Sequence, residues 1–401
     1  MKRIVFLAGV LAIEIAMFVA LMPSTHHDRL MTTDFVNIYA AATIVRAGNG
    51  PTLYHAGTQE PVLFSILGQG SRNYFLHPPF FAAAMVPFSC LRIERAFVVW
   101  TLFNLVLIGL LPMILAKCTL FVARRPVLGL IGMMFPPILT ALALGQSSIL
   151  LLFILCMGYL LLTRRHDLAA GLVLSLATIK FQYVLVVVGF LLVARKFRVV
   201  AGFAAGGSVL LLASLLVTGF AGFAQYVRFV RDFNLHEGYG AIHLAQMVNF
   251  RGFFAGMGWV THLQTYSAVG SALLLILGVA CSRSSRAAEN PDLAFSLFVA
   301  IALTASPYAL SHDAAILLLP IFLAMDSVVS GRIGGAEAKV LGFASVLVFA
   351  WPIILLIMSG DNNWWHSPIY LMFPVDLFFI AVLAAEFYPR KAAGPLSMAP
   401  A

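Results

Sequence analysis

Charged residues are scarce in this sequence. Asp, Glu, Lys and Arg make up only 10% of its 401 residues, whereas hydrophobic residues make up 61% and the mean hydropathy is +0.97. Soluble domains carry about 25% charged residues. The chain therefore lacks the charge that would cover a water-exposed surface, and an ordinary soluble globule is excluded.

Cysteine is scarce as well. Cys90, Cys118, Cys156 and Cys281 are scattered in or beside apolar runs and show no paired spacing. This scatter excludes both a cysteine-based metal motif and a disulfide framework.

A nucleic-acid-binding face is also missing, although the formal net charge is +9. The basic residues lie in short clusters between apolar runs, as at Arg124-Arg125 and Arg164-Arg165. Such clusters are typical of the cytoplasmic loops of membrane proteins, which carry an excess of Lys and Arg. The basic helix with interleaved aromatic residues that grips nucleic acid is not found, so we expect no nucleic-acid partner.

What the sequence does contain is a series of long apolar runs. Their length of about 17 to 25 residues is that of helices that span a lipid bilayer. We therefore predict an all-α fold, a polytopic transmembrane helical bundle of roughly ten to twelve membrane helices. It forms a single integral domain over residues 1–401 and contacts membrane lipids.

The N-terminal apolar run predicts how the chain enters the membrane. Lys2 and Arg3 precede it, and no small-x-small cleavage site follows it, so we expect an uncleaved first helix over about residues 4–22. Basic loops then place both termini on the cytoplasmic side of the cytoplasmic (inner) membrane. The two long outer loops are predicted over residues 23–76 and 219–262.

One step of this topology stays open. If residues 77–90 and residues 96–116 both cross the membrane, Arg124 and Arg125 end up outside, against the charge rule. Either residues 77–90 or residues 126–144 must therefore be re-entrant.

The first outer loop contains a helical pattern that begins at Asp34. Apolar residues recur there at helical spacing, namely Phe35, Ile38, Tyr39, Ala42 and Val45. We predict a short amphipathic helix that lies on the membrane surface, with Thr32 or Thr33 as its N-cap. A second short element of the same kind is predicted over about residues 58–67.

Polar residues collect on the predicted outer edge, and topology does not require them there. They are Asp34, Asn37, Tyr39, His77, Gln146, Lys180, Gln182, Gln246, Asn249, Arg251, His312 and Asp313. Polar groups at membrane depth are expensive and tend to be functional. A polar cavity that opens outward is the simplest account.

Two readings remain open for most of these residues. Asp34 either interacts with the dipole at a helix N-terminus or serves as a general base for an attacking hydroxyl. Lys180 interrupts an apolar hairpin and either forms an internal ion pair with Asp313 or holds a phosphate. His312 next to Asp313 lacks a third metal ligand, so no metal site is predicted.

The same ambiguity applies to three polar residues near predicted turns. Gln146 and Asn249 either satisfy backbone groups at a helix end or bind a substrate. His77, which precedes two prolines, is either a turn residue or a ligand contact.

Several short motifs, taken in order, resemble glycosyltransferase family 87, which includes polyprenol-phosphate-mannose-dependent mannosyltransferases. They are Asp34-Phe35 with Tyr39, Ala40-Ala41, Gly48 and Tyr54; HPPF at residues 77–80; Pro87 and Trp100; Gly145-Gln146; AGLVLSLATIK ending at Lys180; and Ser306-Pro307 with His312-Asp313. The resemblance covers about residues 30–320.

The resemblance implies a GT-C fold and an enzyme. Such an enzyme would move a hexose, here mannose, from a polyprenyl-phosphate donor to a lipid or glycan acceptor at the outer membrane face. The reaction would invert the anomeric configuration, with Asp34 as base and Lys180, then Arg251 and His312, as candidate cations for the leaving phosphate. No cofactor is implied, and a divalent metal is left open.

The resemblance also implies a set of substrate-binding residues. These are Asn37, Tyr39, His77, Gln146, Lys180, Asn249, Arg251, His312 and Asp313. The alternative is a transporter or flippase of a lipid-linked saccharide. That class usually shows internal repeats, which we do not find in the sequence.

Overall fold

The computed structural model shows a chain built of helices. It describes residues 2–21, 30–71, 73–235, 244–358 and 368–388. In those ranges no β-strand occurs, and one isolated antiparallel bridge joins Met247 to Leu310. The predicted all-α polytopic bundle is confirmed.

In the described residues of the first half, the chain forms twelve α-helices and two short 3-10 turns. The helices are α1 (Lys2–Leu21), α2 (Phe35–Arg46), α3 (Ala56–Leu67), α4 (Pro79–Ala84), α5 (Val86–Ser89), α6 (Ile93–Cys118), α7 (Leu120–Arg124), α8 (Pro126–Met133), α9 (Pro136–Ala143), α10 (Ser148–Thr163), α11 (Asp167–Ser175) and α12 (Phe181–Val193). The 3-10 turns are Gly50–Thr52 and Leu176–Lys180.

The second half continues the bundle. Its described helices are α13 (Phe197–Leu235), α14 (Phe250–Gly256), α15 (Leu263–Arg283), α16 (Ser285–Glu289), α17 (Pro291–Thr304), α18 (Leu318–Val329), α19 (Gly335–Met358) and α20 (Met372–Ala385). Its 3-10 turns are Leu244–Gln246, Ser311–Leu317 and Ile369–Leu371.

One end of the bundle is fastened by a cluster of ion pairs, and we call it the basic end. The Arg332 guanidinium donates to the carboxylates of Asp292 and Asp326. Tyr159 donates to Asp292, and the backbone N–H of Phe121 donates to Asp326 at 2.7 Å. Charge-assisted bonds of this kind are stronger than neutral ones. They bring the ends of α10 and α18 and the starts of α7 and α17 to one level.

The opposite ends of the same helices form what we call the polar end. There α10 begins after Gln146, α12 begins after Lys180, and α18 is preceded by the 3-10 turn that contains His312. The predicted polar residues and the basic turns therefore lie at opposite ends of the bundle.

Three glycines allow α11 to pack closely against the start of α13. A Cβ at Gly171 or Gly202 would overlap with backbone atoms of the other helix, and one at Gly206 would overlap with Ser175. Leu168 lies beside Gly202 and Ser175 beside Gly206. Because both residue numbers increase together, the two helices run parallel. Small residues allow such close approach of helices in a membrane.

This parallel packing fixes the path between the two helices. Since α11 and α13 both start at the basic end, the chain must return there through α12. The reversal falls at Lys180, whose φ of −129° and ψ of 67° are not helical. The apolar hairpin that the sequence predicts around Lys180 is therefore present, although Asp167–Val193 is by length and composition one candidate span.

The structure shows how residues 77–90 and residues 126–144 run relative to the two ends of the bundle. Residues 77–90 form only α4 and α5, and the segment stays at the polar end, where Tyr54 donates to the His77 carbonyl and Tyr39 to the Leu91 carbonyl. By contrast, α8 and α9 form a pair bent by 44°. That pair leads from the basic end to Leu144, whose carbonyl accepts from the Phe35 N–H at 3.1 Å. Residues 126–144 therefore connect the two ends.

The number of membrane crossings follows from helix length. Six described helices are long and apolar enough to cross a membrane, or seven if the bent pair is one span. Shorter apolar helices, among them α10, α17 and α20, also run between the two ends. With them the count falls in the predicted range of ten to twelve, which stays a prediction.

The first outer loop differs from its prediction. Asp34 itself occupies the N-cap position of α2, and the Thr33 hydroxyl donates to the Leu30 carbonyl at 2.7 Å instead. Most residues of α2 are buried. The prediction of a capping threonine and of a helix on the membrane surface is therefore wrong, because α2 packs inside the protein. The second predicted element is present as the helix α3, and its position on the membrane surface stays a prediction.

The second outer loop is more helical than predicted. Gly219, with φ of 65°, interrupts α13, and the helix then continues to Leu235. Because φ in this region is accessible mainly to glycine, the helix changes direction there without unwinding further. Residues 236–243 lie outside the described residues.

Candidate functional site

A cavity of about 120 Å³ lies at the polar end. It is walled by the first outer loop, the start of α10, the turn at Lys180, the second part of α13 and residues 307–313. Its polar lining consists of Asp34, Asn37, Asn73, Tyr74, His77, Gln146, Lys180, Gln182, Tyr308, His312 and Asp313. A polar cavity is thus present in the structure, and its outward opening stays a prediction.

Asp34 faces this cavity from the start of α2. Its side chain is half-buried, and it makes no cap hydrogen bond to the helix backbone. Instead, Oδ1 accepts from Asn73 Nδ2 at 3.0 Å and Oδ2 accepts from Gln146 Nε2 at 2.7 Å. The carboxylate is therefore oriented by two neutral amides. Its position near the α2 N-terminus also suits a negative charge.

Lys180 lies beneath Gln146 and is only 6% exposed. Its ammonium pairs with Asp313 and donates to Ser148 Oγ at 2.9 Å and to Gln146 Oε1 at 3.4 Å. A lysine ammonium has three N–H donors, and three acceptors surround it. The internal ion pair that the sequence suggested is confirmed.

Asp313 is the most buried of the charged groups in the cavity, at 1% exposure. Besides Lys180, it accepts from Tyr183 at 2.8 Å, from Ser148 at 2.9 Å and from the Leu310 N–H at 3.1 Å. A buried carboxylate is tolerated when it is paired and hydrogen-bonded in this way. His312 Nε2 lies 3.6 Å from Asp313 Oδ1, and His312 itself lines the cavity.

His77 is held at both its backbone and its ring. Its carbonyl accepts from Tyr54 at 2.6 Å, and its Nδ1 lies 2.9 Å from the Ile179 carbonyl. Because a carbonyl only accepts, Nδ1 carries the proton and Nε2 is left as an acceptor. Burial, with the Lys180 charge, lowers the pKa of His77 to about 4. The ring is therefore neutral near pH 7.

Two of the predicted site residues lie behind the cavity wall. Asn249 caps α14, since its Oδ1 accepts from the Gly252 N–H at 2.9 Å, and its Nδ2 donates to the Ser306 carbonyl at 2.9 Å. Arg251 donates to the carbonyl of Pro307 at 3.3 Å. Neither residue is part of the cavity lining. Both support the segment 306–307, of which Pro307 is part of that lining.

Tyr39 also lies away from the lining. Its hydroxyl donates to the Leu91 carbonyl at 2.8 Å, so it joins α2 to the start of α6. The structure thus brings together Asp34, Asn37, His77, Gln146, Lys180, His312 and Asp313, and it places Tyr39, Asn249 and Arg251 around them.

Three polar lining residues were missed by the sequence analysis. Asn73, Tyr74 and Tyr308 carry no pattern in the sequence, since each lies in a non-helical segment. Asn73 also binds Asp34 across 39 residues of chain. Their only signal is proximity to HPPF and to Ser306-Pro307, and that signal does not assign a role.

The charges in the cavity do not form a metal site. Two carboxylates, Asp34 and Asp313, face one ammonium, Lys180. Across the part of the chain that the structure describes, no group of three or more His, Cys, Asp or Glu side chains could hold a metal ion. A half-buried carboxylate that faces a cavity can instead accept a proton from a bound hydroxyl.

The fold and the cavity define a multi-pass membrane protein with a polar site at one end of the bundle. The sequence model of glycosyltransferase family 87 matches residues 75–307, more than half of the chain. The chain belongs to glycosyltransferase family 87 and is a membrane glycosyltransferase. Neither the curated proteins nor the solved structures gave a match. Asp34, Asn73 and His312 lie outside the matched range.

Proposed function

We propose that this glycosyltransferase moves a hexose, mannose, from a polyprenyl-phosphate donor to a lipid or glycan acceptor, with Asp34 as the general base. One observation carries the proposal. Asp34 is a half-buried carboxylate that faces the polar cavity and is held there by Asn73 and Gln146. A base must be oriented toward the proton it removes.

The chemistry follows from that orientation. Asp34 takes the proton of the acceptor hydroxyl while the hydroxyl oxygen attacks the anomeric carbon of the donor sugar. The bond between that carbon and the phosphate oxygen breaks, and the polyprenyl phosphate leaves with the electron pair. Attack from the side opposite the phosphate inverts the configuration at the anomeric carbon.

The leaving phosphate requires positive charge near it. Lys180 is the cation of the cavity lining, and fixed charge in a water-poor site stabilises negative charge that develops in the transition state. Since Asp313, Ser148 and Gln146 occupy its N–H groups, Lys180 acts through its field while His312 contacts the phosphate. Arg251 supports the wall at Pro307 and does not reach the cavity.

The neutral polar groups are proposed to hold the sugars. Asn37, His77 and Gln146 offer hydrogen bonds to hydroxyl groups, and His77 Nε2 is an acceptor. The prenyl chain would pack against the apolar helices that surround the site. The cavity is proposed to lie at the outer face of the cytoplasmic membrane, where the donor and acceptor would meet. The basic turns at the far end of the bundle support this orientation.

The decisive experiment is Asp34→Asn, which removes the base and keeps the shape. The assay measures transfer of radiolabelled mannose from polyprenyl phosphate mannose to the lipids of membranes that lack the native protein. The transfer rate with the Asp34→Asn variant should be about 100-fold or more below that with the wild type. Asp167→Asn, at the basic end, is the matched control and should keep full transfer. Thermal unfolding of each purified variant checks the fold. Full transfer by a folded Asp34→Asn protein would refute the proposal.

A further inference from the structure

Asn73 lies between Asp34 and Asn37 at the rim of the cavity. Its Nδ2 donates to Asp34 Oδ1 at 3.0 Å, and its Oδ1 accepts from Asn37 Nδ2 at 3.1 Å. Asn37 is 9% exposed. The three side chains thus form a line in which the Asn37 amide N–H donates to Asn73 and the Asn73 amide N–H donates to the carboxylate.

The direction of this line matters because an amide has two different ends. A carboxylate only accepts hydrogen bonds. If the Asn73 amide turned over, its oxygen would face the Asp34 carboxylate, and the bond would be replaced by repulsion. Asn37 favours the observed orientation because it presents an N–H to the oxygen of Asn73. The carboxylate on one side and the second asparagine on the other therefore favour the same orientation of the Asn73 amide.

The other carboxylate oxygen of Asp34, Oδ2, also accepts a hydrogen bond from an oriented amide. Gln146 Nε2 donates to Asp34 Oδ2 at 2.7 Å, and the Gln146 oxygen accepts from Lys180 Nζ at 3.4 Å. Since an ammonium can only donate, Lys180 fixes the orientation of the Gln146 amide. Both amides that touch Asp34 are thus oriented by a second donor behind them.

We propose that Asn37 and Asn73 form a relay that holds the Asp34 carboxylate aimed into the cavity, so that both are positioning residues for the transfer reaction. The inference rests on the proposed role of Asp34 as the base. A general base must lie within hydrogen-bond reach of the proton that it removes. The relay therefore keeps the carboxylate where an acceptor hydroxyl can reach it.

Other charged and titratable groups also face Asp34. His77, Tyr308 and His312 interact with it electrostatically. Lys180 and Asp313 lie one step further away, behind Gln146. Substitutions at Asn37 and Asn73 leave all of these groups in place, so a change in Asp34 reports on the relay.

The test measures the hydrogen bonding of the Asp34 carboxylate at about pH 7 without any substrate. Its carboxylate stretching band is identified in the infrared spectrum of the purified protein by its loss in Asp34→Asn. With Asn73→Leu the band should move, because the carboxylate loses one of its two amide donors. With Asn37→Leu it should move in the same direction by less. Asn290→Leu, at the basic end, is the control and should not move it.

The double variant separates a relay from two independent effects. Because Asn37 acts only through Asn73, Asn37→Leu should add nothing in the Asn73→Leu background. An unmoved band in Asn73→Leu would overturn the proposal, as would a full Asn37→Leu effect in that background. Additive losses of stability alone would not change the band.

Transfer assays then connect the relay to the reaction. With polyprenyl phosphate mannose, kcat of Asn73→Leu should fall about tenfold while KM for the donor stays constant. A shifted band together with full transfer by Asp34→Asn would leave the relay standing and refute the proposed base. An unshifted band would refute the relay whatever the transfer rate.

Discussion

At the residue scale, Lys180 and Asp313 illustrate why a buried charge pair is difficult to interpret from sequence. Each is almost fully buried, and each supplies the other's counter-charge. Removal of one partner leaves an uncompensated buried charge, which costs about 3–5 kcal/mol. A lost activity in either single variant would therefore report on folding as much as on chemistry. Only the positions of Lys180 and Asp313 in the cavity lining link the pair to the reaction.

His77 provides a residue-scale prediction about pH. Its pKa is about 4 in the folded protein because of burial and Lys180, and about 6.5 in an unfolded chain. Between these values the unfolded state binds more protons, so the contribution of His77 to stability is present above about pH 6.5 and is lost as the pH falls toward 4. The loss is at most about 3 kcal/mol.

The measurement is thermal unfolding of the purified protein from pH 7 to pH 4. His77→Asn keeps a donor for the Ile179 carbonyl but cannot titrate, so its unfolding temperature should fall less over this range than that of the wild type. His55→Asn, at an exposed histidine, should behave as the wild type does. Equal pH dependence of His77→Asn and wild type would show that His77 is not a neutral, buried group.

The sequence predicts residues of this site unevenly. Asp34, Gln146, Lys180 and His312 were predicted because a polar side chain next to an apolar run is conspicuous. Asn73 was not, because an asparagine in a loop is ordinary. Its importance arises only when the fold brings it to Asp34.

At the element scale, α2 shows what the apolar spacing of the sequence predicts and what only packing against other helices determines. Apolar spacing predicted its helix correctly, yet it could not distinguish a helix on a membrane surface from one packed under other elements. Phe35 decides the matter, since its ring lies 5.5 Å from Phe97 and 6.5 Å from Trp100, measured between ring centroids. Contacts with α6 hold α2, and with it Asp34, inside the bundle.

The contact between α11 and α13 leads to a prediction at the same scale. A Cβ at Gly202 would overlap with the Leu168 backbone carbonyl, so Gly202→Ala must separate the two helices. Overpacking of this kind costs about 1–3 kcal/mol. Since α11 leads directly into the turn at Lys180, transfer activity should fall as well. Thermal unfolding and the mannose-transfer assay measure the two effects.

The same helix offers a matched control. No atom of a neighbouring residue lies within 4 Å of the point that a Cβ would occupy at Gly207, so Gly207→Ala meets no neighbour. Alanine is favoured over glycine inside a helix by about 1 kcal/mol. Gly207→Ala should therefore be neutral or slightly stabilising with full activity. If Gly202→Ala behaved in the same way, the close parallel packing of α11 and α13 would be wrong.

At the scale of the whole molecule, charge and chemistry are divided between the two ends of the bundle. The basic turns after α10 and α12 lie at one end, together with the ion pairs of Arg332. The cavity with Asp34 lies at the other. Sequence alone predicted this division through the positive-inside rule. It could not decide whether residues 77–90 or 126–144 cross, because that depends on which partners the short helices find.

The final prediction tests the orientation of this bundle in the membrane. Thr261 and Ser285 are exposed residues beside opposite ends of α15, Ser285 next to the basic end. In a protein without its four native cysteines, Thr261→Cys should react with a membrane-impermeant maleimide in intact cells if that end faces outward with the cavity, as we propose. Ser285→Cys should react only after the cytoplasmic membrane is permeabilised. Because the two sites flank opposite ends of the same helix, the labelling of each cysteine serves as the control for the other. The reverse pattern would place the cavity in the cytoplasm, and labelling of both in intact cells would mean that α15 does not cross.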